Sequence, residues 1–232
     1  MTKGIAEILS PLNRRLVHGQ RHHGLVGAAM TKRGDAVWTA GSGNGGLDTG
    51  VIGNAWYHIF AIARSDTMET DYLFSLSLNS PTMPTHYDLK RRIGSRERVS
   101  GAWRPFIQVA DEVVWAASIA DVSIATLPAT ATMATLTVPP GVPVKAKVSV
   151  QLHISSNACS VLVSSPFSGD EAPSVSNRTA AALSNVNAAD TNEVELLTNS
   201  SAQIRYRGSS AAGVNNFSIR TRGFVDTRGR LA

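Results

Sequence analysis

The sequence predicts an all-β protein: an antiparallel β-sandwich or jelly-roll-like module preceded by a short N-terminal helical segment. Three observations carry that expectation. Short apolar-aromatic runs, from AWYHIFAIAR at 55–64 to VVWAAS at 113–118, alternate with Pro, Asn, Asp and Gly punctuation. The run at 144–154 alternates apolar and polar residues without a break, so one face belongs in a core and the other in water. Helical periodicity is confined to the start of the chain. At 232 residues the protein can bury a sizeable core without disulfide or metal staples.

The helical pattern covers residues 4–17. Ile5, Ile8, Leu9, Leu12 and Leu16 recur at spacings of three and four and form one apolar face. Pro11 lacks an N–H donor and kinks or splits the helix. Such a face needs a surface, either the protein's own sandwich or another subunit or docking protein. Residues 18–34 read as a polar linker. His18, His22 and His23 have no nearby carboxylate or cysteine to complete a metal site, and Gly19 and Gly24 argue against a rigid helix there. The glycine-dense segment 41–50 has no GxxxxGK[ST] pattern, so it reads as a turn or surface loop.

Strands are predicted at 56–64, 72–77, 91–99, 105–109, 112–117, 121–126, 135–138, 144–154 and 160–164. SPTMP at 80–84 is a break, because its prolines cannot sit in a central ladder. Ala110-Asp111 marks a tight hairpin. Residues 165–190 form a long loop with a turn of helix at 180–183. Strands at 193–198 and 203–207 flank a hairpin at Asn199-Ser200-Ser201. A last strand at 216–222 points Phe217 and Ile219 inward. The domain reading is an attachment segment and linker at 1–33, then a β-module at 34–232, which two lobes, 34–126 and 127–232, would subdivide.

Composition narrows the function. Charged residues make up 17% of the chain, below the roughly 25% of ordinary globular domains. Net charge is +5, but the arginines are interleaved with turns and strands and aromatics are only 6%, which argues against nucleic acid as the partner. The single cysteine, Cys159, allows no intrachain disulfide and sits in a strand-like apolar run. No signal peptide or membrane span is visible. The expectation is therefore assembly in a host cytoplasm.

No catalytic constellation stands out. There is no GxSxG elbow. Asp111 and Glu112 are adjacent, and neighbours on a strand point to opposite faces. Asp66, Glu69 and Asp71 read as solvated loop charges. His58 reads as a hydrogen-bonded core or interface histidine, and Trp38, Trp56, Trp103 and Trp115 as core. No enzyme activity, cofactor, catalytic residue or metal site is expected. Trp103 with Arg104, and Asn44 with Asp48 in the glycine-dense loop, are the candidate surface or glycan contacts.

The stretch 55–116 resembles a module of tail-fibre and other host-contact proteins of tailed bacteriophages. The resemblance rests on Tyr57-His58-Ile59, Tyr72-Leu73-Phe74-Ser75, Pro81-Thr82-Met83-Pro84 with Tyr87, Arg91 to Ser95, Pro105-Phe106-Ile107-Gln108 and Trp115. It continues through TLTVPPG, NSSAQIRYR and RTRGFVDTRGR and covers about residues 33–232. It implies a virion component: a short tail fibre or spike-type subunit that contributes to host attachment and is released by lysis. The implied partners are other copies of the chain, as a homotrimer, other virion proteins through the N-terminal segment, and host surface polysaccharide. No nucleic acid or membrane insertion is implied. The chain has no repetitive shaft or coiled coil, so a purely architectural collar, head-fibre, adaptor or decoration protein is the alternative. A glycan depolymerase is the remote one.

Overall fold

The chain divides into two units between Arg104 and Pro105, so the segment up to Thr126 belongs with the second unit. The computed structural model describes residues 6–8, 29–154, 158–182, 188–209 and 213–228, and every described element is a strand.

The first unit grows from the aromatic run. Its strand β4 (Trp56–Ala63) is apolar on both sides and therefore sits mid-sheet. Tyr57 and Ile59 pack with Leu47 and Phe74, while Phe60 and Ile62 pack with Leu73 and Tyr87. On one side β4 pairs antiparallel with β5 (Thr70–Ser75), and on the other with β6 (Leu89–Val99). A bulge at Ile59/Phe60 shifts the β4–β6 register. Beyond β5 lies β3 (Gly45–Leu47), then β2 (Met30–Val37) and β1 (Ala6–Ile8). The short β7 (Ala102–Trp103) closes the far side. Strand β3 runs parallel to both β2 and β5, so this sheet is mixed rather than purely antiparallel.

Three expectations for this unit change. Ala6–Ile8, inside the expected helix, pair as a strand with Met30–Lys32, which satisfies their backbone groups on the β2 edge. The rest of that helix, with Ile5, Leu9, Leu12 and Leu16, lies outside the described residues, as do His18, His22 and His23. The linker expected at 18–34 gives way to β2 from Met30. The loop expected at 41–50 contains β3, whose three residues are all buried. Gly46 sits in a tight place: a Cβ would meet Lys32 Cβ and the Phe74 ring at 3.1 Å, so those neighbours would have to shift to admit one.

The second unit is built from β8 (Phe106–Val109), β9 (Glu112–Thr126), β10 (Thr132–Thr135), β11 (Lys145–Ile154), β12 (Cys159–Ser164), β13 (Ala180–Ala182), β14 (Ala188–Leu197), β15 (Gln203–Gly208) and β16 (Gly213–Val225). One sheet has the order β14-β11-β16-β9-β8 and the other β10-β15-β12-β13. All pairings are antiparallel, and four of them are nested: β9 with β16, β10 with β15, β11 with β14, β12 with β13. Successive nested pairs fall in alternate sheets, as when one long hairpin is rolled up. The alternation at β11 carries through as expected, with Val144, Ala146, Val148, Val150, Leu152 and Ile154 all at most 2% exposed. Phe217 and Ile219 of β16 are fully buried. Tyr206 of β15 stacks on Phe217 at 5.3 Å between ring centroids, so the two sheets meet face to face.

Several boundaries move. The strands expected at 112–117 and 121–126 are one strand, β9, which absorbs register shifts against β16 at Ile219/Arg220 and Thr221/Gly223. The strand expected at 135–138 is shifted to β10. Residues after it are held instead by Asp121, which accepts from Thr137 N at 3.0 Å, from Thr137 Oγ1 at 2.6 Å and from Thr221 Oγ1. The helical turn expected at 180–183 is β13, and β14 begins inside the expected long loop. The turn at Asn199–Ser201 forms around the Asn199 side chain, which accepts from Ser201 N at 3.0 Å and Gln203 N at 2.9 Å. It is not a hairpin turn, because β14 and β15 lie in different sheets and the turn carries the chain across. The Ala110-Asp111 hairpin forms as expected, with Ala110 at φ 52°.

Gly223 sits at the β16 bulge, where a Cβ would lie 2.0 Å from the Val113 carbonyl oxygen. Backbone cannot yield as a side chain can. Gly223→Ala is expected to lower stability by about 3 kcal/mol in urea unfolding. Gly169→Ala, with nothing within 4 Å of its Cβ position, should stay within about 0.5 kcal/mol.

Candidate functional site

The loop between β2 and β3 is the best-defined exposed structure of the first unit, and a buried ion pair holds it from beneath. Thr39 to Asn44 are exposed. Under them the Lys32 ammonium lies 2.9 Å from the Asp71 carboxylate, with side-chain exposures of 0% and 2%. Lys32 also donates to Thr39 O at 2.7 Å, and its ammonium sits 5.2 Å from the centre of the Trp38 ring. Asp71 accepts from Gly41 N at 3.0 Å and Tyr72 N at 2.6 Å. Both charges are therefore paired and hydrogen-bonded, the condition under which buried ions are tolerated. The result is a loop whose backbone is fixed at Thr39 and Gly41 while its outer side faces water.

The four proposed contact residues are not gathered at this loop: Asn44 and Asp48 lie in or just after it, and Trp103 and Arg104 at β7. Asn44 is exposed, donates to Ala40 O and accepts from Arg33 N at 2.8 Å. Asp48, just after β3, is half-buried. Its carboxylate accepts from Thr49 N at 2.8 Å and Thr82 N at 3.1 Å, tying β3 to the PTMP segment. Trp103 is half-buried, with its ring edge-on to Tyr57 at 5.6 Å and to Phe74 at 5.9 Å. It packs against Gly34, where a Cβ would come within 2.6 Å of the ring. Arg104 pairs with the Glu97 carboxylate. Asn44 is thus the member that offers its side chain most openly to solvent.

The part of the resembling segment that falls in the first unit supplies much of that unit's buried interior; residues 105–116 fall in the second unit. Tyr57 OH accepts from Gly53 N at 2.9 Å. His58 is 4% exposed, and its Nδ1 lies 2.9 Å from Ser95 Oγ, the hydrogen-bonded histidine that the sequence suggested. Arg92 donates to the same hydroxyl at 3.0 Å. Tyr87, after the PTMP break, packs edge-on to Trp38 at 5.1 Å. The Tyr87 hydroxyl is buried without a hydrogen bond of ordinary geometry. Burial first, and the nearby Glu69 carboxylate second, push its ionisation up to about 12.

Sequence reasoning missed the Lys32–Asp71 pair. Asp71 was grouped with Asp66 and Glu69 as a solvated charge. Asp66 and Glu69 are indeed 60% and 52% exposed, and Asp66 is held well below the usual carboxylate range by its hydrogen bond to Arg64. Asp71 is not solvated, because its partner reaches it from β2. The one local hint is that Asp71 directly precedes an apolar run. Among the described residues no group of three or more His, Cys, Asp or Glu is placed to hold a metal, and no helix is long and apolar enough to cross a membrane.

Two predictions follow from this geometry. Lys32→Met strands the Asp71 charge and should cost about 3–5 kcal/mol in chemical unfolding, whereas Lys32→Met with Asp71→Leu should recover most of that loss. For Tyr87 the folded protein holds the phenol proton more tightly than the unfolded chain does. Its contribution is therefore fully present below pH ~10 and is lost as pH rises toward about 12. Unfolding measured at a series of alkaline pH values should show a shallower decline across that window for Tyr87→Phe than for the parent chain.

No family model, curated protein or solved structure matches the chain.

Proposed function

We propose that this chain is a structural component of a tailed-phage virion, a short tail-fibre or spike-type subunit that contributes to host-surface attachment. The observation that carries the reading is the resemblance of residues 55–116 to host-contact modules of such particles, together with where those residues lie. Tyr57, His58, Phe74 and Ser95 are buried in one sheet of the first unit and Tyr87 is buried outside its strands, whereas Arg91 and Ile107 are exposed. Much of the motif thus serves folding, which suits a module reused on different appendages. The nested pairing of the second unit is jelly-roll connectivity, an architecture found in viral capsid and lectin domains. Fold alone does not assign function, so the second unit supports the reading without deciding it.

In this reading the exposed loop from Thr39 to Asn44 belongs to the outward part of the module, where rigidly supported loops make contacts. The N-terminal segment with Ile5, Ile8, Leu9, Leu12 and Leu16 is the element that joins the particle. Several copies of the chain, as in the homotrimer that the resemblance implies, would let weak glycan contacts act together. A specific observation favours the architectural alternative: Asp48, Trp103 and Arg104 are engaged within the unit rather than turned outward.

Host adsorption separates the two. Purified chain should bind host cells and slow adsorption of intact phage; an architectural subunit would bind no cells. Leu12→Asp with Leu16→Asp in the full chain should leave the unfolding transition unchanged and abolish incorporation into particles. Normal incorporation of that variant would remove the attachment role of the segment.

A further inference from the structure

We infer that the open edge of β6 is a binding surface for an acidic polysaccharide. The first support is charge distribution. The first unit carries 13 Lys and Arg against 8 Asp and Glu and the second 9 of each; within the first unit, residues 29–104 carry 9 against 7. Strand β6 holds most of the cations of that stretch: Lys90, Arg91, Arg92, Arg96 and Arg98 stand against one acid, Glu97, which is paired with Arg104. Of the other acids, Asp35 pairs with Arg33, Asp66 with Arg64 and Asp71 with Lys32, while Asp88, just before β6, accepts from Ser65.

The second support is placement. Lys90 and Arg91 are exposed. Lys90 donates to a neutral carbonyl, that of Asn79 at 2.9 Å, and Arg98 to that of Gly101 at 2.7 Å. Neither contact neutralises the cation. The Arg91 side chain makes no hydrogen bond or ion pair among the described residues, while its backbone lies in the ladder with Ala61. On one side β6 pairs with β4; on the other, β7 reaches only Arg98 and Val99. From Leu89 to Arg96 that second side has no strand beside it among the described residues.

Register then sets the shape of the partner. Lys90 and Arg92 stand opposite Ile62 and Phe60 on one face of the sheet. Arg91 and Arg96 stand opposite Ala61 and Tyr57 on the other. Adjacent strand residues point to opposite faces, so long side chains from both faces converge only along the strand's edge. An extended polyanion lying along that edge reaches all of them, and a compact ligand on either face does not. From Leu89 to Gly94 the backbone on that side has no strand partner among the described residues, which suits hydroxyl-rich chains as well. Nucleic acid fits less well, because base recognition needs open aromatic faces and Trp103, near the end of β6, packs into the apolar cluster.

The inference deepens the host-attachment reading and rests on it for its biological meaning, but binding itself is measured on the isolated full chain. The probe is polygalacturonate, with uncharged dextran and a double-stranded DNA oligonucleotide alongside, in titrations from low to physiological salt. The parent chain should bind polygalacturonate, more weakly as salt rises, and should ignore dextran. Lys90→Gln with Arg91→Gln should weaken binding by roughly thirtyfold at low salt, and Arg91→Gln alone, which breaks no contact, by roughly fivefold. Lys145→Gln with Arg220→Gln, removing two cations from the second unit, should change it less than twofold. Equal losses from the β6 and second-unit pairs, no polygalacturonate binding at low salt, or tighter binding of DNA than of polygalacturonate would each overturn the inference. Intact binding by a chain that is absent from particles would leave the inference standing and remove the virion reading instead.

Discussion

The first unit depends on a single buried ion pair. Lys32 and Asp71 are 39 residues apart in sequence and meet where water does not reach. Their contact joins β2 to the start of β5 across the narrow β3, and its remaining hydrogen bonds go to the loop that connects β2 to β3. Such a pair is weak evidence for stability, because desolvation offsets much of its attraction. Its effect is on specificity. A slipped β2 register would bury the ammonium without its carboxylate, at a cost of several kcal/mol. The pair thus selects one register for a short parallel arrangement that backbone pairing alone specifies poorly.

That constraint also explains what the sequence did and did not reveal. Where burial follows polarity, the pattern was legible. The alternation at 144–154, the apolar run at 56–63 and the inward Phe217 and Ile219 all appear in the sheets as the residues suggested. Where burial runs against polarity, it was not. Lys32 makes β2 look like a solvated linker, and only a partner 39 residues on makes its burial tolerable. Gly45 and Gly46 look like loop residues, yet Val37 O leaves no room for a Cβ at Gly45, and Lys32 and Phe74 crowd one at Gly46. The alanines of β13 carry helix propensity and no period-two signal, so pairing with β12 decides their state.

The candidate site was legible to a lesser degree. Asn44 lies on an exposed, supported loop, as a contact residue should. Trp103, Arg104 and Asp48 were chosen for chemistry that glycan contact uses, and they spend much of it on the protein's own structure. Aromatic and charged residues near turns serve packing and recognition equally well, and sequence does not separate these uses. The charges of β6 were visible as a run but read as interleaved with turns and strands, which left a solvated strand face and contact with an acidic partner surface both open. Their convergence on one edge needs the register with β4 and the short reach of β7.

The two units divide the work that the virion reading assigns. The first combines a supported loop with a basic edge, both suited to contact. The second is electrically balanced and closed around an apolar core, which suits a scaffold. Electron cryotomography of purified phage particles with a gold-labelled tag on this chain tests the central claim most directly. The account predicts label at a fixed appendage position, in symmetric sets, on every mature particle. Particles without label, with the tagged chain recovered only from the soluble lysate, would contradict it.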